Sequence, residues 1–301
     1  MGELFYGALI IDFAKSVRIA FGLNARDWIV LILKGFLLML IALILFVICI
    51  ITASKTYAQT ISTDSLNCLI EEAKKGDLDA QYNLGVYFYF DKDYIRAVKW
   101  FEKAACQGDA DAQYNLALLY DRGHGLPQDY DQAFMWFKKA AEQGQMLAQS
   151  YLGLYYVNGI SVLQNYTLGA HWYKKAAEQG DADSQFQLSL CYEMGLGVSK
   201  NSNQFIYWCR KAAEQGHAAA QYSLGDSYVA GRGVSQNYTK AANWFRKSAE
   251  QGLAEAQYNL GVCYNNGQGV PKDLNKAIYW YKKAASQGYS EAKEQLKRLQ
   301  Q

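Results

Sequence analysis

From residue 66 onward one phrase keeps returning. "KAAEQG", or a near copy of it, ends at Gly108 (as KAACQG), Gly144, Gly180, Gly216, Gly252 and Gly288, and the last five intervals are 36 residues each. A chain written at a fixed period of this length stacks unit on unit, because one unit alone cannot bury its apolar face. The first unit, from Gly76 to Gly108, is 32 residues long and lacks the glycine pair that four of the five later units carry. "CLIEEAKKG" precedes it as a half unit, and "YSEAKEQLKRLQQ" closes the chain as another.

Each unit reads as two helices. The first carries "AQYNLGVYF", "AQYNLALLY", "AQSYLGLYY", "SQFQLSLCY", "AQYSLGDSY" and "AQYNLGVCY", with a small residue, Leu and an aromatic at i, i+4 and i+8 on one helical face. A small residue follows the Leu (Gly85, Ala117, Gly153, Ser189, Gly225, Gly261). Glycine within a helix costs about 1 kcal/mol against alanine, so its presence predicts close approach of a neighbouring helix. The second helix carries Trp100, Trp136, Trp172, Trp208, Trp244 and Trp280 at one place, with an alanine pair (Ser-Ala in the fifth unit) one turn on. Ridge-into-groove packing then makes these tryptophans core residues. Only 2 prolines against 24 tyrosines suit continuous helices with large packing side chains.

The loop between the two helices, "GVCYNNGQGVPKD" in the last unit, has the look of a glycine-rich phosphate cradle. Such a cradle follows a strand and, in its commonest form, precedes a Lys-Ser/Thr pair. Neither is present, and the pattern recurs in five units. The glycines instead fall where a helix needs a left-handed stop, and Asp129, Asn165, Asn201, Asn237 and Asp273 fall where the next helix needs an N-cap. The loop is punctuation, not a nucleotide site.

The pattern closely resembles the Sel-one-like repeat family, a branch of the tetratricopeptide-type α/α solenoids. AxxxLGxxY, the GxGV turn, AxxWY and KAAEQG carry the likeness, over residues 66–301. The resemblance implies an all-α, right-handed superhelical solenoid of about six two-helix repeats that acts as a scaffold for protein partners. In bacteria it implies envelope, secretion or host-interaction roles, and in eukaryotes endoplasmic-reticulum quality-control adaptors. Some cysteine-rich relatives bridge a cysteine pair in every unit and are linked to β-lactam binding. Here Cys191 and Cys263 share a register, but only Cys191 has a conceivable partner, Cys209, so no regular framework exists. Likeness to tetratricopeptide proteins also implies that the first helices line a concave face. Residues beside the core stripe are then candidate contacts for a protein or peptide: Tyr82, Asn83, Val86, Tyr114, Asn115, Leu118, Tyr151, Leu154, Asn259 and Val262. The alternative is that Tyr82, Tyr114, Tyr222 and Tyr258 serve inter-repeat packing.

The N-terminal segment is of another kind. Gly35–Ala53, "GFLLMLIALILFVICIITA", holds nineteen residues without a charge. As a helix it extends about 28 Å, close to the hydrocarbon thickness of a bilayer. The sequence predicts a transmembrane helix over 28–53, after a 1–27 cytoplasmic segment and before a 54–65 linker. Lys15, Arg18, Arg26 and Lys34 precede the span and Lys55 follows it, which puts the N-terminus in the cytoplasm and the repeats on the far, periplasmic side. Cleavage after Ala58 is the alternative and would release a secreted protein that acts on a host or envelope component. Residues 5–24 place Tyr6, Leu9, Ile10, Phe13, Val17 and Phe21 at helical spacing, as either an interfacial helix or an apolar leader.

Beyond the anchor the chain is neutral, with 25 basic and 25 acidic residues in 59–301, so no basic field is present to attract nucleic acid. The six scattered cysteines and three separated histidines (His124, His171, His217) lack metal-ligand spacing. Most of the thiols read as buried packing residues. "SEAK" at 290–293 has no companion motifs of a β-lactam enzyme, and "GDSY" at 225–228 is a copy of the helix phrase. "NYT" at 165–167 and 237–239 reads as N-caps before sequons. No enzyme activity, cofactor, metal or small-molecule substrate is expected; a hidden β-lactam-binding or envelope hydrolase activity is the least favoured alternative.

Overall fold

The structure is a computed structural model that describes residues 63–299. The expected cytoplasmic segment, the 28–53 span and the cleavage site near Ala58 lie outside the described residues. Among the described residues no helix is long and apolar enough to cross a membrane.

Fourteen helices follow one another, and no strand occurs among the described residues. A half unit, α1 (Thr63–Lys74), comes first and begins inside the expected linker. Six pairs follow: α2 (Leu78–Phe90) with α3 (Tyr94–Cys106), α4 (Ala110–Arg122) with α5 (Tyr130–Glu142), and α6 (Met146–Asn158) with α7 (Tyr166–Gln179). Then come α8 (Ala182–Met194) with α9 (Ser202–Glu214), α10 (Ala218–Ala230) with α11 (Tyr238–Glu250), and α12 (Ala254–Asn266) with α13 (Leu274–Ser286). Helix α14 (Ser290–Arg298) closes the array. From α2 onward each helix packs on the next in the chain, and α2 also touches α4 lightly. This is the expected solenoid.

Within a unit the register is fixed by size complementarity. Ala148 and Leu152 of α6 are fully buried. A Cβ on Gly153 would stand 2.7 Å from the ring of Tyr173 on α7, so an aromatic ring, rather than a helix backbone, fills the space that the glycine leaves. In the fourth unit the partners change together: Ser189 stands at the glycine's place and Cys209 at the ring's. The tryptophans differ from expectation. Trp136, Trp172 and Trp208 are buried, but Trp100, Trp244 and Trp280 are partly exposed, while the next residue (Phe101, Phe137, Phe245, Tyr281) is buried to 2 % exposure or less. The indole lies at the margin because the helix turns its following residue to the unit's centre. There the second lysine of the "KK" phrase covers it: Lys139 Nζ lies 4.1 Å from the Trp136 ring and Lys247 Nζ 4.2 Å from Trp244.

Two kinds of turn close the units. The turn after each second helix is tied by glutamines. Buried Gln185 of α8 donates to the Ala177 carbonyl at the end of α7 (3.0 Å), and its Oε1 accepts from Gln215 at the end of α9 (2.8 Å). Gln215 Nε2 also reaches the Gly180 carbonyl (3.0 Å). The same pairing joins Gln107 to Gln81, Gln143 to Gln113, Gln179 to Gln149, Gln251 to Gln221 and Gln287 to Gln257. Each set satisfies carbonyls left open by a helix C-terminus. A further N-cap follows: Asp77, Asp109 and Asp181 accept from the backbone of α2, α4 and α8. Leu253, before α12, supplies no side-chain cap.

The turn within each unit carries the glycines. In the fourth unit Gly195 ends α8 in the left-handed region (φ 77°) and donates to the Cys191 carbonyl at 2.8 Å. Asn201 caps α9 as expected, and its own N–H donates back to Tyr192 (2.9 Å). The second glycine has a different purpose from the first. A Cβ on Gly197 would fall 2.0 Å from the carbonyl oxygen of Tyr166, so this loop lies backbone on backbone against the first turn of the preceding unit's α7. The first unit, four residues shorter, connects α2 to α3 through Asp91–Asp93 alone, with Lys92 left-handed at φ 62°.

Cys191 and Cys209 are free buried thiols, and Cys209 Sγ donates to the Ala220 carbonyl at 3.3 Å, so the conceivable bridge is not made. Cys263 is buried too, but Cys68 and Cys106 are exposed, contrary to a wholly packing role for the cysteines. The histidines are part of the frame: His124 stacks on Tyr94 at 4.6 Å, His217 Nδ1 accepts from Ala220 N–H as the α10 cap, and His171 lies edge-on to Trp172.

Candidate functional site

The ten candidate contact residues all lie on first helices, in three registers of the repeated phrase. Tyr82 and Tyr114 occupy one register, Asn83, Asn115, Tyr151 and Asn259 the next, and Val86, Leu118, Leu154 and Val262 a third, one turn on. One row per register runs from unit to unit, because the same turn chemistry repeats at each junction.

The tyrosines bridge. Tyr82 rests on Phe101 (centroids 6.0 Å) and Tyr114 on Phe137 (6.0 Å), each within its own unit. Their hydroxyls face the following unit, where Asn115 neighbours Tyr82 and, in the same relation, Asn259 neighbours Tyr222. Tyr258 meets Tyr289 across the last junction, at 5.2 Å. Burial pushes the Tyr82, Tyr114 and Tyr222 hydroxyls above the usual phenol range. The packing role weighed for Tyr82, Tyr114, Tyr222 and Tyr258 is therefore present, with part of each ring still open to solvent.

Tyr151 takes the asparagine register in the third unit. Its ring stacks on Phe137 at 4.7 Å and 14°, meets Tyr114 edge-on at 6.0 Å, and its hydroxyl neighbours Arg122. Leu154, one turn on, is exposed, whereas Leu118 at the same register of the second unit is buried. Asn83 is exposed; Val86, Asn115, Asn259 and Val262 are half-buried. Tyr114, Tyr151 and Arg122 thus lie together at the second and third units, with Leu154 exposed one turn beyond Tyr151.

The same rows continue through residues that the list of candidates leaves out. Gln187 and Ser223 stand in the asparagine register, and Leu190 and Asp226 in the valine register. Asp226 pairs with Arg232, whose Nε lies 4.0 Å from Glu193 of the unit before. Aligning the six phrases by position, rather than by residue type, would have found them. The chemistry on offer is recognition: amides, hydroxyls, one guanidinium patch and shallow apolar tips.

Stacked, capped helix pairs with such a face define an α/α repeat protein. The Sel1 repeat model matches residues 78–109, 110–145, 147–181, 182–217, 218–253 and 254–289, most of the chain, and the protein belongs to the Sel1 repeat family. Proteins built from these repeats mediate protein–protein interaction and are generally not enzymes. Among solved structures it is similar to c5321, a protective antigen present in uropathogenic Escherichia coli strains and displaying an SLR fold. The identity is 38% over 76% of this chain, with a TM-score of 0.73, and the match spans 50% of that antigen's length. A Sel1 repeat protein from Oxalobacter formigenes is 35% identical over 70% of this chain and 84% of its own, with a TM-score of 0.66. Comparison with curated proteins gives no match.

Proposed function

We propose that this protein is a membrane-anchored scaffold that binds a protein or peptide along its first-helix face, with the repeats on the non-cytoplasmic side. The observation that carries the reading is the register itself. Every unit offers one hydrogen-bonding side chain (Asn83, Asn115, Tyr151, Gln187, Ser223, Asn259) at the same place on a first helix. An extended segment crossing successive first helices would meet one polar partner per unit, with Tyr151 and Leu154 as its apolar anchor. Right-handed curvature of the kind the family implies would put this row on the concave side.

The uncharged stretch over 35–53 and the basic residues before it support the anchor and the sidedness. Similarity to an antigen is consistent with exposure outside the cytoplasm. Crosslinking of the full chain in its own membrane, followed by identification of the captured partner, tests the proposal. Tyr151→Ala with Leu154→Asp should cut capture by at least about tenfold, the loss of one anchor. Undiminished capture by that variant, or none by the native chain, would remove the assignment.

A further inference from the structure

Residues 59–301 are neutral in sum, but the two sides of the solenoid are not. The six first helices (α2, α4, α6, α8, α10 and α12) hold seven carboxylates and one base, Arg122. The six second helices hold fifteen lysines and arginines against six carboxylates. Local helix chemistry favours this split. First helices begin and second helices end at the glutamine edge, and acids suit a first turn as lysines suit a last one. Neighbouring first helices adjoin, Tyr114 meeting Tyr151 at 6.0 Å and Ser184 bonding Ser150 at 2.8 Å, so their charges share one side of the stack. The second helices, packed behind them, make the other side.

Asp79, Asp111, Asp183 and Glu255 stand four residues before Asn83, Asn115, Gln187 and Asn259, and so on the same face as that polar row. Among the described residues none of these four acids forms an ion pair with a lysine or arginine. Asp111 accepts from Gln145 Nε2 (3.3 Å), and Asp183 faces His217 Nε2 (3.2 Å). Rings adjoin them, Asp111 beside Tyr82 and Glu255 beside Tyr222, a setting that suits a cationic side chain. The other three acids of this side are engaged, Asp226 and Glu193 with Arg232 and Asp121 with the Tyr155 hydroxyl. On the opposite side Lys138, Lys174, Arg210, Arg246 and Lys282 recur at one register, one in each of five units. Lys138 and Lys174 meet Glu142 and Glu178 at 3.9 and 3.8 Å, exposed pairs that bind weakly. Glu102, Asp131, Glu214 and Glu250 complete the acids of the second helices.

We infer that the first-helix face of one copy takes the second-helix face of another, so that the protein assembles with itself face to back. This deepens the protein-binding reading above and rests on it for the face employed. The two rows are opposite in sign and share a period, because both repeat with the units of one stack. A basic segment of another kind would match the sign but not the period. Helix α6 carries no charged residue and sets Tyr151 and exposed Leu154 midway along the acidic face. From the other copy, exposed Tyr207 and Tyr279 on α9 and α13 supply apolar area. Because the two surfaces differ, every copy that binds through one keeps the other open. The contact is heterologous and extends into a row of copies unless the rotation closes it.

The test follows the full chain in non-ionic detergent by sedimentation velocity. The native chain should assemble at about 0.05 M salt, and about 0.5 M should weaken the association at least about tenfold. Reversing the first-helix face (Asp79→Lys, Asp111→Lys and Glu255→Lys) should leave single chains, because both sides are then basic. Reversing the other face (Lys138→Glu, Lys174→Glu and Lys282→Glu) should do the same, with both sides acidic. Circular dichroism checks that each variant keeps its helices, and the two variants mixed should assemble again. Native assembly that survives either reversal, no assembly at low salt, or folded variants that stay apart when mixed overturns the inference. The protein-binding reading is judged separately: if self-assembly fails while a different protein is captured, and Tyr151→Ala with Leu154→Asp abolishes that capture, the face stands and only the second copy falls.

Discussion

The two edges of the solenoid close the same helices by different means. At the glutamine edge the turn is short and uniform, and a buried side-chain amide binds each junction to the one before. At the loop edge the connection is seven residues in most units and three in the first, bonded mainly through backbone, and it carries exposed apolar tips. Structure that must be identical at every junction is written in side chains that repeat. The edge that can vary is held by glycine and backbone, which leaves its side chains free for contact.

The sharpest way to break this comparison is to place one methyl group at each edge. Gly197→Ala at the loop edge must bring a Cβ onto the Tyr166 carbonyl in a left-handed conformation, and should cost about 3 kcal/mol or more. Gly180→Ala at the glutamine edge has φ 108° but nothing within 4 Å, so only the strain of about 1 kcal/mol remains. Urea unfolding midpoints compare them, and equal losses would show that the loop does not bear on the preceding unit.

Next in size is the amide itself. Gln221→Leu removes one bond from the Ala213 carbonyl, which keeps Gly216 N–H, and one from the Gln251 amide, which keeps the Gly216 carbonyl, and should cost about 1–2 kcal/mol. A loss under about 0.5 kcal/mol would mean that water replaces the network. At the one first-helix start between complete units that lacks a side-chain cap, Leu253→Asp should gain about 1 kcal/mol, by analogy with Asp77, Asp109 and Asp181. No gain in melting temperature would show that Leu253 packing outweighs the missing bond.

The smallest effect concerns pH and the thiols. Burial pushes Cys191 and Cys263 up to about 11 and Cys209 to about 12. A thiol raised on folding contributes stability that is complete below its unfolded value, near 9, and that is lost as pH rises through the folded value. Stability should therefore fall between about pH 9 and 12, while at pH 8 a thiol reagent should reach Cys68 and Cys106 and spare Cys191, Cys209 and Cys263. Rapid labelling of Cys209 in the native protein would contradict its place in the core.

Much of this was legible beforehand. The period, the two-helix unit, the glycine stops and the Asp or Asn caps before each second helix depend on local chemistry that one unit states completely. Trp136, Trp172 and Trp208 are buried as expected, but Trp100, Trp244 and Trp280 were read one residue off, because periodicity marks the face of a helix but not which of two neighbouring aromatics reaches its centre. Gln185, Gln215 and their equivalents were in view in every unit as the glutamines of "AQ" or "SQ" and of "QG", yet their meeting 30 residues apart is invisible until the turn is closed.

By itself the sequence determined that this chain is a stack of capped helix pairs, since repetition at 36 residues admits no single closed core. Only the tertiary structure decided that the second glycine of four loops (Gly125, Gly197, Gly233, Gly269) yields to the neighbour's backbone and that buried glutamines join the junctions. It also decided that most of the large exposed apolar side chains stand at the loop edge, with Leu154, Tyr207 and Tyr279 along the helices and Leu147 at the other edge. Those outcomes depend on distances between residues of different units, and a linear pattern contains no measure of distance across a turn.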